Sequence, residues 1–486
     1  MSGARIVIVA AICAAGAHAR TAHASPVDDP TIGRAVFTGA TVPSATSIVL
    51  DPAAIAAPGP LGAPPPDAIY VGLTSTLDQI GVSRRLLDVD TGALSQGASV
   101  HDVVASPGAD VGAIFHANPS LALGLQLRMP PGQQFIQDEP ALRYYTLGGY
   151  QRDVQASLGL GVRVASMVWV GASVTIDATL LRLRFARDTA LEAAHGPTGV
   201  GSACGGSPCG VENPAASETY DVTVRQHAPF SDGYIVNLGG IVRLAPNTFL
   251  AISYHTPPGG ATSVENELDG DVTVIRPPRD GGGTLHGAAT VYISQPASVD
   301  AELRTRLRDD LDLHVGGRWQ NLSREAGWDV RMYGDLLSGF GVPEWTEKPR
   351  GFHDTFALWG GVEQVYLGER LRLGARLGIE SSAIDDAQTS AVTIAPASAT
   401  LDLGAQLHIA PQVVVQLSYG LQVFERVSET ASQFDPRDRI ACVDGGYDYS
   451  TAACGETRAG YAIPTADADY SRIEHAIRLG VRYDIP

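Results

Sequence analysis

Between Val236 and Pro258 the chain reads VNLGGIVRLAPNTFLAISYHTPP, with apolar residues on every second position. Val236, Leu238, Gly240, Val242 and Leu244 form one set, and Asn237, Gly239, Ile241 and Arg243 lie between them. After Pro246-Asn247 the alternation resumes from Phe249 to His255. A period of two, interrupted by a two-residue turn, predicts a β-hairpin with one apolar and one wetter face. Five further stretches repeat the design, turning at Asn118-Pro119, Ala165-Ser166, Asp309-Asp310, Gly368-Glu369 and Ala410-Pro411. An opening strand at Ala68–Leu77 and a closing one at Ile473–Ile485 bring the expected total to fourteen strands. Between the hairpins lie long, polar, Gly/Pro-rich segments, at roughly 78–108, 130–142, 186–218, 259–283, 326–351, 383–396 and 428–469.

Short turns alternating with long loops predict an all-β, transmembrane antiparallel barrel, and an even strand number puts both termini on the short-turn side. The faces agree. Leu401, Leu403, Ala405, Leu407 and Ile409 are expected outward, against Asp402, Gly404, Gln406 and His408. The final strand sets Ile477, Leu479, Val481 and Tyr483 against Arg478, Gly480 and Arg482. A soluble sandwich shows the same alternation but does not predict one long and one short connection in strict turn. Lipid demands a closed sheet, because no water is present to satisfy an open edge.

Composition adds location. Charged residues are only 18% of the chain, the formal net charge is -18, and Lys348 is the single lysine. Without a basic stripe, nucleic acid is excluded as a partner. Residues 1–24 read as a signal peptide: Arg5, an apolar run from Ile6 to Ala17, and Ala22-His23-Ala24 before the cleavage point. No later apolar run is long enough for a transmembrane helix, so the expected site is the bacterial outer membrane, crossed by strands. Apart from Cys13, the cysteines form two close pairs in Gly-rich loops, Cys204 with Cys209 and Cys442 with Cys454. In an exported chain these favour two local disulfides over a metal site, whose usual two-residue ligand spacing is missing.

About 40 residues rich in Ala, Gly and Pro separate the signal from the first strand. They contain Gly33-Arg34-Ala35 with Gly39, then Asp51-Pro52-Ala53. In order and spacing this resembles the GRA-x-x-G and NPA motifs of the long-chain fatty acid transporter (FadL) family, which includes aromatic hydrocarbon transporters. The stretches around 239–257, 295–319 and 354–386 are similar to strand pairs of that family. Asp51 stands where the family has Asn, and the chain ends Ile485-Pro486 instead of on an aromatic residue. The resemblance implies a 25–67 plug (hatch) in the lumen of a 68–486 barrel. It also implies passive, plug-gated diffusion of long-chain fatty acids or aromatic hydrocarbons, with lateral exit through the wall.

Glu302, Arg304, Arg306, Arg318, Glu363, Arg372, Arg376 and Glu380, with Arg163 and Arg243, are placed on the lumen side as polar lining. They are candidates for a carboxylate head group; the competing reading is a paired network that stiffens the barrel. His314 and His408 are read as lining and not as metal ligands. No catalytic motif is present, neither G-x-S-x-G, H-E-x-x-H nor a phosphate loop, so no enzyme activity and no cofactor are expected. Expected partners are a hydrophobic small molecule, outer-membrane lipid and the barrel-insertion machinery, with a monomer as the working unit. The alternative is a structural or adhesive barrel that binds a partner through its stapled acidic loops.

Overall fold

The computed structural model describes residues 35–59, 65–88, 91–187, 222–257, 266–276, 282–293, 296–325, 327–334, 345–434 and 465–485. The signal peptide, Gly33, Arg34 and the cysteine pairs Cys204/Cys209 and Cys442/Cys454 lie outside these residues.

Fourteen strands close into one antiparallel ring. They are β1 (Ala68–Leu87), β2 (Leu94–Asn118), β3 (Leu121–Met129), β4 (Gly148–Ala165), β5 (Val168–Arg187), β6 (Val222–Ala245) and β7 (Thr248–His255). Then follow β8 (Ser298–Arg308), β9 (Leu311–Gln320), β10 (Thr355–Tyr366), β11 (Leu371–Glu380), β12 (Ser398–Ala410), β13 (Val413–Phe424) and β14 (Ala468–Asp484). The ring closes where β14 pairs with β1, from Ala68 opposite Asp484 to Arg84 opposite Ala468. All six hairpins form; three turn at the residues the alternation indicates, and those at Pro119-Ser120, Ser166-Met167 and Pro411-Gln412 turn one residue later. Five carry a register shift just before the turn, at His116/Asn118, Arg163/Ala165, Arg243/Ala245, Arg306/Arg308 and His408/Ala410. A two-residue turn preceded by a bulge adds local right-handed twist to the flanking strands. The sixth hairpin bends through Leu367, Gly368 and Glu369, all with positive φ.

One expectation is overturned. The segment at 78–108 is no loop: β1 and β2 run 20 and 25 residues and pair as far as Leu87 opposite Leu94. Its polar, Gly- and Ser-containing sequence forms a two-stranded arm whose faces both meet water or other loops, so the apolar alternation disappears while the ladder continues. Short strands at Asn266–Ile275, Thr284–Ile293, Gly327–Tyr333 and Trp345–Pro349 likewise extend the sheet beyond the rim on the long-loop side. Apolar side chains of the first three join Leu181, Leu183 and Val224 in a buried cluster.

Outward positions carry exposed Leu73, Leu125, Leu158, Leu238, Leu358, Leu403 and Leu479. Inward positions on the same strands hold buried Thr76, Gln126, Ser157, Asn237, Ala357, Asp402 and Ala476. A closed sheet that is apolar outside and largely polar inside is the architecture of an integral barrel of the bacterial outer membrane. Among the described residues no helix is long and apolar enough to cross a membrane.

Candidate functional site in the lumen

Residues 35–58 lie inside the ring, in the half nearer the short turns, and most residues from Ala35 to Ala57 are buried. Two single-turn helices, Ala45–Val49 and Pro52–Ala56, form the middle of this segment. Ser44 and Asp51 begin them by accepting from the N–H groups of Thr46 and Ala53, the role that short polar side chains play at a helix start.

The segment rests on glycines. A Cβ on Gly171 of β5 would sit 2.2 Å from the Ala53 nitrogen, and one on Gly239 of β6 would sit 1.8 Å from Asp51 Oδ1. Gly124 and Gly159 admit the Ile48 side chain in the same way. Alternate inward glycines on β3 to β6 thus leave a flat floor, where any larger residue would push the segment away. Beside it, Trp169, Ile241, Phe249 and Ala251 make an apolar patch against Ala40, Ala53, Ala54 and Ala57.

Across the lumen, carboxylates hold the first turn of the segment. The Val36 N–H donates to Asp402 Oδ1 (3.4 Å), that of Phe37 to Glu363 Oε1 (3.0 Å) and that of Thr41 to Glu302 Oε1 (3.2 Å). The Thr41 hydroxyl donates to the same Glu302 oxygen. Arg376 donates to the Thr38 carbonyl (2.9 Å) and Arg304 to that of Pro58 (3.0 Å). Gly39, at φ 150°, passes so close that a Cβ would lie 2.3 Å from Glu302 Oε2. These charges are themselves cross-braced. His314 sits 3.6 Å from Glu302 and 3.7 Å from Glu363, Arg372 bridges Asp312 (3.4 Å) and Glu363 (3.3 Å), and Arg478 pairs with Asp402 (3.0 Å). The Arg304 guanidinium lies 4.8 Å from the centre of the Phe249 ring.

A second polar chain begins at the Ile48 carbonyl. Ser173 donates to it (2.9 Å), Asn237 Nδ2 donates to Ser173 (2.8 Å), and Asn237 Oδ1 faces His255 Nδ1 (2.8 Å). His255 Nε2 reaches Asp300 (3.1 Å), which Arg318 also holds (2.7 Å). Asp51 is fully buried; its Oδ1 accepts from the Ala53 N–H, and its Oδ2 has no hydrogen-bond partner among the described residues. Burial pushes its carboxyl up to about 8, the Ala53 N–H opposes the shift, and the charges of Glu302 and Asp300 add to it.

Of the residues expected on the lumen side, the fold gathers Glu302, Arg304, Glu363, Arg372 and Arg376 around the segment. Arg318 stands one strand pair away, and Arg306 pairs with Asp312 (3.1 Å). Glu380 is buried toward the long-loop end of β11. Arg163 and Arg243 are elsewhere: both donate to the Ser166 carbonyl (3.2 and 3.1 Å) and tie down a turn at the short-turn rim. Asp402, Asp300, His255 and the glycine floor were not singled out from the sequence. Their only signal there is position, on the polar side of the alternation.

One interruption of the wall lies beside β3. β2 and β3 pair as far as Ala109 opposite Met129, after which Pro130-Pro131-Gly132 break the strand. Proline has no N–H for a ladder. Pairing with β4 resumes only at Gln133–Phe135, leaving Arg152, Asp153 and Val154 without partners on that side. Farther out, Val392 packs against two buried clusters, and Gln133 and Arg472 hold the carbonyls of Val392 (3.4 Å) and Ile394 (3.1 Å). The loop between β11 and β12 therefore folds inward over the lumen.

The class defined by this geometry is an outer-membrane barrel with its N-terminal segment folded inside. Its fold is the FadL-type barrel. A Pseudomonas aeruginosa FadL homologue superposes with a TM-score of 0.70 at 14% identity, over 96% of this chain and 100% of the other. The Pseudomonas putida toluene transporter TodX gives 0.62 at 13%, covering 94% and 97%. The Ralstonia pickettii toluene transporter TbuX gives 0.57 at 15%, covering 93% and 97%. No protein-family profile and no curated protein sequence matches this chain.

Proposed function

We propose that this protein carries hydrophobic compounds, long-chain fatty acids or aromatic hydrocarbons, passively across the outer membrane, with residues 35–58 as the plug that gates the lumen. The observation that carries the proposal is the docking of that segment. It lies on a glycine floor, its N–H groups are held by Glu302, Glu363 and Asp402, and it obstructs a lumen that would otherwise admit water. A water-filled pore offers a greasy solute no favourable environment, so a closed barrel suits a hydrophobic cargo better than a polar one. The neighbouring structures named above are toluene transporters in two cases, which supports the aromatic branch. The break after Met129 supports a lateral exit, because the strand between β2 and β4 is discontinuous there. Deleting residues 30–56 is expected to leave a folded, heat-modifiable barrel that has lost selectivity for labelled toluene and oleate. Unchanged selectivity in the truncated barrel would refute the gate.

The alternative, a surface barrel that binds a partner through its loops, draws on the density of ion pairs in the lumen. Those pairs are concentrated on β8 to β14, whereas the apolar patch and the interrupted wall lie on β2 to β7. That asymmetry favours transport.

A further inference from the structure

We infer that the short-turn, periplasmic end of the barrel holds a separate binding site for organic anions with an apolar body. A cavity of about 670 Å³ opens there, between the N-terminal segment and the wall from β10 through β14 to β1. Its apolar surface comes from Phe37, Val42 and Pro43 on the segment and from Val365 and Val414 on the wall. Facing these are Arg370, Arg372, Arg482 and His408, with Gln406 and Gln416 between them. Glu369 is the one carboxylate among the lining residues. Carboxylates behind the lining compensate two of these arginines, so Arg370 is the guanidinium left to meet an anion.

The arginines are not equivalent. Arg482 is held by both oxygens of Asp484 (2.7 and 3.2 Å), and Arg372 is shared by Asp312 and Glu363. Arg370 and His408 have no side-chain partner among the described residues. They are neighbours, since the His408 N–H donates to the Arg370 carbonyl (2.9 Å). Arg370 therefore has its planar fork free for a carboxylate or sulfonate. Gln406 and Gln416 bond to each other (3.2 Å) and leave donors and acceptors toward the cavity. The volume suits a two-ring aromatic acid or a medium-length amphiphile. A solute leaving through the interrupted wall beside β3 never enters this space, because the cavity lies on the opposite side of the segment. An occupant would rest on Phe37, whose N–H is held by Glu363, so occupancy bears directly on how the segment is seated.

The test uses the purified full-length protein in detergent and equilibrium dialysis of 2-naphthoate, with empty micelles subtracted and 2-methylnaphthalene as the uncharged counterpart. The site predicts saturable binding of one 2-naphthoate per chain, weakened by salt. Arg370→Glu should weaken it at least tenfold and leave 2-methylnaphthalene unaffected, whereas Arg163→Glu, at the same rim but across the ring, should change neither. Arg370→Gln, which keeps a donor without the charge, should fall between. Arg370 is on an exposed turn, so heat-modifiability is expected to be unchanged. Absence of saturable 2-naphthoate binding, or equal affinity in Arg370→Glu, overturns the site. So does a parallel loss of 2-methylnaphthalene binding. Toluene uptake by cells carrying Arg370→Glu should match wild type; lost uptake would make the cavity part of the transport route and overturn its separateness.

Discussion

Replacing Gly171 by alanine tests the docking of the N-terminal segment while removing nothing that the barrel uses. The added methyl would sit 2.2 Å from the Ala53 nitrogen and 2.3 Å from the Pro52 carbonyl carbon, more than an ångström short of the 3.4 Å of ordinary contact. Both atoms are backbone, so no side chain can swing aside. Gly171 itself is in a paired strand opposite Gly161 and Gly239, a conformation that alanine adopts freely, so the barrel has no reason to change. The segment must lift, and the bonds of Ser173 to Ile48 (2.9 Å), His116 to Ile55 (3.1 Å) and Arg304 to Pro58 (3.0 Å) stretch with it. Overpacking of this kind costs about 1–3 kcal/mol. At about 1.4 kcal/mol per tenfold, that shifts the docked-to-undocked ratio by roughly 5- to 150-fold. Hydrogen exchange read over residues 45–57 should rise by such a factor in Gly171→Ala, with β4 to β6 unchanged and heat-modifiability retained. Gly239→Ala should act alike, and the pair should be less than additive, because both push on the same turn. Unaltered exchange in both variants would refute the docking. Slowed exchange would also do so.

Three further outcomes follow from the same geometry. Asp51, on the N-terminal segment and not on a membrane-crossing strand, has its carboxyl pushed up from 3.8 to about 8 by burial; docking is then strongest below about pH 4 and weakens as pH rises through 8, because the undocked state binds fewer protons in that window. Asp51→Asn should flatten this dependence in a pH series of exchange at residues 45–57, and an equal slope in wild type and variant would remove Asp51 as its source. Glu302→Ala strips the acceptor from the Thr41 N–H and hydroxyl and leaves His314 facing Glu363 alone; loss of one partner of a buried charged pair costs about 3–5 kcal/mol, so a fall in the thermal midpoint with faster exchange at residues 36–41 is expected. Pro130→Val with Pro131→Val restores two N–H groups to β3 and should let it pair on past Met129; uptake of labelled toluene should slow with insertion unchanged, and undiminished uptake would remove this seam as the exit.

The strands and their turns were legible because lipid outside and polar side chains inside impose a period of two on every membrane-crossing residue. Asp402 opposite Leu403, or Arg478 opposite Leu479, is a local statement that needs no partner to be read. The arm at 78–108 was not legible for the converse reason: neither of its faces meets lipid, so nothing forces its residues to alternate. Within the lumen, the alternation places Glu302, Glu363, Arg372 and Arg376 on the inner side but says nothing of depth or neighbour. It does not separate Arg376, which holds Thr38, from Arg163, which ties down a turn.

Composition and spacing alone determined a closed barrel of fourteen strands with an Ala/Gly/Pro-rich segment ahead of it. Only the tertiary structure decided where that segment lies, that glycines distant in sequence form one floor beneath it, and that Asp51 is buried with an unpartnered oxygen. The physical reason is that a strand's faces are fixed by its own residues, whereas each lumen contact joins strands hundreds of residues apart, as Val36 and Asp402 do, at a height set by the shear of the whole ring.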